Sequence, residues 1–152
     1  MAVEVSQERL QRLVDEDDIR TLLIRFGRAL DERRWDDYAA LYAEDAVLQL
    51  PHGRHEGRAG LADFVAADLG RYVATQHISA SHDITVTGDT AEARSSLFGA
   101  HITSEDRRSF WIGSGWYHTQ LRRTTEGWLL TRVEARPEWL VTHGDAAPPA
   151  PD

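Results

Sequence analysis

A chain of 152 residues, 41% of them hydrophobic, is long enough for one domain with a full core and an internal pocket. Its net charge of −8 argues against nucleic acid or an anionic membrane as partner, and the absence of cysteine excludes disulfides, thiolate nucleophiles and Cys-ligated zinc. All 17 basic residues are arginine, so Schiff-base catalysis and a P-loop lysine are excluded too.

Between Ser6 and Leu30 the residues Ile19, Leu22, Leu23, Phe26, Ala29 and Leu30 recur at three- and four-residue spacing, which predicts a helix with one buried face. Trp35, Tyr38, Leu41 and Tyr42 continue the pattern in a second, short helix after the polar stretch around Asp31. Ala46 to Leu50 reads as a short strand, and Pro51 to Gly57 as a loop by its proline and glycine content. Leu61, Phe64, Val65 and Leu69 mark a third helix, ended near Gly70.

Strands take over from Thr75. Ile84 to Thr87 alternates, Gly88-Asp89 signals a turn, and Ala91 to Ile102 is the returning strand. Phe110 to Arg123 follows a polar loop, and Trp128 to Leu140 follows the turn at Thr125 to Gly127. Gly113-Ser-Gly115 lacks a nucleophile-elbow pattern and reads as a kink in a strand. Residues 1–142 are expected to form one α+β domain, and residues 143–152 a Pro/Ala-rich tail. No apolar run has the length of a membrane span, and the first residues lack a signal peptide's basic start and apolar core. A soluble, cytoplasmic protein is expected.

The residues with the most chemistry are Asp31, His77 in a Thr-Gln-His run, and His101 in Gly-Ala-His. Histidine titrates near neutrality, and a carboxylate can hold its tautomer and stabilise its charged form. Taken singly each has a plainer role: Asp31 as the polar end of a helix, the histidines as hydrogen-bonded core residues. The turn at Gly88-Asp89 sets Ile84 and Val86 opposite Ala93 and Ala91. Continued without interruption, that register puts His101 on the apolar face and His77 on the other. A bulge in either strand would bring both to one side. His52, His55 and Glu56 lie in a loop, without the spacing of a zincin helix, so no metal site is expected there.

The run from Ala29 to Val47, with Gly88-Asp-Thr-Ala91 and Glu126-Gly-Trp128, resembles the SnoaL-like branch of the nuclear transport factor 2-like superfamily, in order from Glu8 to Leu140. The resemblance implies a cone-shaped α+β fold, with N-terminal helices packed on a strongly bent antiparallel sheet around an apolar cavity. Within that superfamily the chain is most similar to the scytalone dehydratases, whose Asp-His-His set matches Asp31, His77 and His101. A bulge uniting the two histidines is thereby implied. The tyrosines that orient a water in those enzymes are replaced by Leu30 and Leu50, and Tyr117 lies near the position of their pocket asparagine. The resemblance places Leu30, Tyr42, Leu50, Phe64, Gly99, Trp116 and Tyr117 around the substrate. It implies a cofactor-independent dehydratase-type lyase, a homo-oligomer (trimer or dimer), acting on a hydrophobic small molecule of polyketide, terpene, sterol or aromatic class. His77, oriented by Asp31, would remove a proton alpha or vinylogous to an activating group. His101 would donate a hydrogen bond to the leaving hydroxyl or protonate it, although the sequence alone does not say which histidine is the base. The same fold serves isomerases, polyketide cyclases and non-catalytic binding or subunit domains, including the small subunit of ring-hydroxylating oxygenases.

Overall fold

The computed structural model describes residues 6–150. Helices α1 (Gln7–Asp31) and α2 (Trp35–Ala40) come first, then β1 (Tyr42–Leu50), β2 (Gly53–Glu56) and α3 (Leu61–Leu69). Four long strands follow: β3 (Ala74–Thr87), β4 (Thr90–Ile102), β5 (Phe110–Thr124) and β6 (Gly127–His143). They form one six-stranded sheet in the order β2-β1-β6-β5-β4-β3. The sheet is mixed rather than purely antiparallel, because β1 runs parallel to β6. The long excursion through α3 and three strands supplies the crossover that a parallel pair needs.

Two boundaries differ from the sequence reading. Tyr42 begins β1 instead of closing the second helix, which ends at Ala40 with Leu41 as its C-cap. Helix and strand bury residues in the same core there, so the apolar spacing runs across their junction. The Pro51–Gly57 segment also holds a strand, β2, paired to β1 through a two-residue turn at Pro51-His52.

Helix α1 starts at Ser6, whose side chain accepts from the Arg9 backbone N–H and satisfies one of the orphan donors of a helix start. Its buried face, from Ile19 to Leu30, packs across β3. Ala91 and Ala93 of β4, Leu121 of β5 and Leu130 and Val133 of β6 complete the core on the sheet's concave side. Asp15, buried on α1, is paired by Arg123 and also accepts from the Trp128 indole N–H. A buried charge needs such partners to be tolerated.

Of the four register breaks in the sheet among the described residues, two lie in the strands around the histidines. The β3–β4 register holds from Thr87↔Thr90 to Asp83↔Arg94 and resumes at Ala80↔Ser96, so β3 carries one extra residue. Ser81 sits there with φ 52°, and His82 Nδ1 lies 2.7 Å from Ser95 Oγ across the break. On β6, a second extra residue falls opposite Ser114 and Gly115. A Cβ on Gly115 would lie 2.1 Å from the Arg136 carbonyl oxygen, so only glycine allows the strands to approach this closely. The expected kink at this glycine pair is thus a close passage beside a bulge.

Candidate active site

The extra residue in β3 decides which histidines share a face. Beyond it, Thr75 pairs with His101 and His77 with Gly99. His77 and His101 therefore stand two residues apart along one face of the sheet, diagonal neighbours on its concave side. Their rings meet edge to face with centroids 5.2 Å apart. Gly99 lies between them: a Cβ there would be 3.2 Å from His101 Cε1 and 3.6 Å from His77 Cδ2.

Asp31 is the last residue of α1, and its carboxylate collects four donors from one short stretch of β3. It accepts from Thr75 Oγ1 at 2.9 Å, Gln76 Nε2 at 3.2 Å, the His77 backbone N–H at 2.7 Å and His77 Nδ1 at 2.7 Å. A carboxylate has about four acceptor sites, so this set fills it. With Nδ1–H given to Asp31, the neutral His77 ring carries its lone pair on Nε2. The helix comes this close because Gly27, one turn earlier on the same face, has no side chain. A Cβ at Gly27 would lie 2.9 Å from the His77 carbonyl oxygen.

His101 is in a different state. It is 5% exposed, stacked on Trp111 at 3.6 Å with the planes 6° apart, and edged by Tyr72 at 4.9 Å. Burial pushes its pKa down to about 3, and the neighbouring His77 acts in the same direction. The ring is neutral at physiological pH, and its buried Nδ1 has no hydrogen-bond partner among the described residues. A cationic acid at this position, one of the roles expected for it, is therefore not what the environment supports.

The cavity in front of these rings is open on one side and has a volume of about 150 Å³. His77, His101, Leu30, Leu50, Gly99 and Tyr117 all line it. The other three residues expected around the substrate stand elsewhere. Tyr42 is fully buried, with its hydroxyl bonded to that of Tyr38. Phe64 projects from α3 against the His55 ring and the β2 hairpin. Trp116 follows strand alternation to the face opposite Tyr117, where it stacks under Arg94 and donates Nε1–H to Glu138 at 2.7 Å. Tyr117 itself is held protonated by burial and, to a lesser degree, by the negative charge of Asp31.

Other residues also line the cavity. Trp111 pairs with His101 across β4 and β5, and its buried indole N–H has no hydrogen-bond partner among the described residues. Asp68 lines the wall from α3, and His52, read from the sequence as a loop residue, lies 2.9 Å from it. Pro148 and Pro149, in the expected tail, return to the cavity mouth beside Leu140. His55 instead bonds the Ala59 carbonyl, and no group of three or more His, Asp or Glu that could hold a metal is gathered among the described residues. No described helix is long and apolar enough to cross a membrane.

A curated relative, an uncharacterized protein of Mycobacterium tuberculosis, is 29% identical over 122 residues, which is 78% of this chain and 83% of that one. Among solved structures, a candidate scytalone dehydratase from Novosphingobium aromaticivorans superposes with TM-score 0.77 at 23% identity, covering 90% of this chain and 92% of its own. A type 3 hexachlorocyclohexane dehydrochlorinase from Novosphingobium barchaimii gives TM-score 0.79 at 18% identity, covering 92% and 99%. Those likenesses concern the fold: helices followed by a curled six-stranded sheet. The SnoaL-like domain model matches residues 11–134, most of the chain and every element from within α1 into β6. The chain belongs to the SnoaL-like domain family, within the nuclear transport factor 2-like superfamily.

Proposed function

We propose that this protein is a lyase of dehydratase type, which removes a proton from a small hydrophobic molecule by side-chain chemistry alone. The observation that carries the reading is the Asp31–His77 contact, 2.7 Å long, at the wall of an apolar cavity. Asp31 fixes the His77 tautomer and stabilises the imidazolium that forms when Nε2 takes a proton. Tyr117, kept protonated, donates a hydrogen bond to the oxygen on which negative charge develops. His101 walls the site as a neutral ring. General-base assistance of this kind is worth about 10²- to 10⁴-fold.

The volume supports the smaller of the expected substrate classes. A dry cavity of about 150 Å³ suits benzene in an engineered protein, so a space of about 150 Å³ here suits a single-ring molecule better than a sterol. The hexachlorocyclohexane dehydrochlorinase of the same fold is named for a one-ring substrate.

Hydrogen exchange at carbon tests the base without knowledge of the natural substrate. In deuterium oxide the wild-type protein should wash deuterium into the α-positions of cyclohexanone, read by NMR, and His77→Ala should fall to the buffer rate. Wild-type protein no faster than His77→Ala would remove the reading in favour of a binding domain.

A further inference from the structure

The cavity wall holds a second histidine–carboxylate pair that proton abstraction by His77 leaves unused. His52 stands in the β1–β2 turn, with Nε2 at 2.9 Å from Asp68 Oδ2. Asp68 belongs to the last turn of α3, and its other oxygen accepts from Arg71 at 2.8 Å. The two side chains are 23% and 16% exposed, and both line the cavity of His77 and His101. Burial alone would raise the Asp68 carboxyl, but the His52 hydrogen bond and the charges of His52 and Arg71 outweigh it and hold it ionised. Among the described residues, His52 Nδ1 has no hydrogen-bond partner.

The two pairs are built alike. In each, an aspartate in the last turn of a helix grips a histidine from outside that helix. An acidic residue at a helix C-terminus opposes the helix dipole, whereas a histidinium there is favoured. Each aspartate thus sits where it is locally unfavourable, in the place from which it can hold a positively charged ring.

Loss of water needs an acid as well as a base, because hydroxide leaves poorly. His101, buried and neutral, is badly placed for that task. We propose that His52, positioned by Asp68, is the general acid that protonates a leaving hydroxyl. The substrate is then a one-ring compound with a hydroxyl β to the acidified C–H bond. This rests on His77 being the base. His77 Nε2 takes the proton, the C–H electron pair forms the carbon–carbon double bond, and the C–O bond breaks as its oxygen takes a proton from His52. The products are the alkene and water. His77 then releases its proton to solvent, and His52 regains one.

Two probes separate the roles. Cyclohexanone exchange in deuterium oxide needs only the base, whereas conversion of 3-hydroxycyclohexanone to cyclohex-2-enone needs base and acid. His52→Gln should slow elimination about 100-fold more than it slows exchange, the lower end of what a general acid contributes. Asp68→Asn should shift the ratio in the same direction by a smaller factor, and His77→Ala should remove both activities. Exchange in the same samples shows that the His52 and Asp68 variants are folded, and circular dichroism shows it for His77→Ala. Equal losses of exchange and elimination in His52→Gln and Asp68→Asn would overturn the assignment and leave His77 as the base. Absence of exchange in the wild type would remove both readings.

Discussion

Asp31 serves structure and chemistry with the same two oxygens. Four donors converge on it, one of them the backbone N–H of the residue it orients. Asp31→Asn replaces one acceptor oxygen by an amide and leaves a donor facing donors. Hydrogen bonds to a charged group are worth about 1.5–3 kcal/mol, so a stability loss of that order is expected along with a fall in turnover of about 10²- to 10⁴-fold. Melting curves and single-turnover rates from the same samples separate the effects: well below the melting temperature, a purely structural Asp31 would leave the rate nearly intact. His101 makes a second residue-scale prediction, about acid. Its folded pKa, about 3, lies below the ordinary 6.5, so in the window between them the unfolded chain binds the extra proton. Stability is therefore full above about pH 6.5 and declines as pH falls toward 3, by up to about 1.4 kcal/mol per pH unit. Denaturant unfolding at pH 7 and pH 5 should show the decline. His101→Phe, which keeps a ring against Trp111, should flatten it; an unchanged slope would show that His101 is not the group responsible.

At the scale of elements, the site depends on two placements: the height of α1 above β3, and the extra residue in β3. Gly27 sets the first. An alanine there would meet the His77 carbonyl at 2.9 Å, so Gly27→Ala should lift the end of α1 and lengthen the Asp31–His77 contact, although alanine is the better helix former. Activity should drop by more than the thermal stability predicts. Deleting Ser81 tests the second placement. Without the extra residue β3 runs in register from the turn onward, and His77 points to the outer face. A folded protein by circular dichroism with activity at the level of His77→Ala is expected; retained activity would mean that the bulge re-forms elsewhere. These placements also explain what the chain discloses before folding. Helix faces, the Gly88 hairpin and the long strands are written in local periodicity, and Asp31, His77 and His101 were legible through their resemblance to a family. Tyr42, Phe64 and Trp116, which the resemblance places around the substrate, stand outside the cavity, because a family likeness does not say which side of an element faces it. The bulge has no local signature, since its Ser81 is no more a turn residue than its neighbours. Asp68 was invisible in a helix rich in acidic and apolar residues, although an aspartate opposing the dipole at the end of α3 was a faint signal.

For the molecule as a whole, the cone has a closed end and an open one. The closed end is tied by Asp15, Arg123 and Trp128, far along the strands from the histidines. At the other end the chain runs out of β6 at His143, turns through Gly144 at φ 66°, and brings Pro148 and Pro149 to the cavity mouth. Prolines suit that place, because a segment with fixed φ loses less entropy when it is ordered against a ligand. If the two rings together cover about 40 Å² of a bound molecule, they contribute about 1 kcal/mol, or roughly fivefold in affinity. A chain ending at His143 should therefore bind cyclohexanone roughly fivefold more weakly, as read by ligand-detected NMR, with its fold and histidine pairs intact. It should also accept larger rings, so the affinity ratio of 1-tetralone to cyclohexanone should rise on truncation. Equal affinities for both ketones in the full-length and shortened chains would show instead that the mouth is sealed by Leu140 and Pro137 of β6, and that size selection lies in the wall rather than the tail.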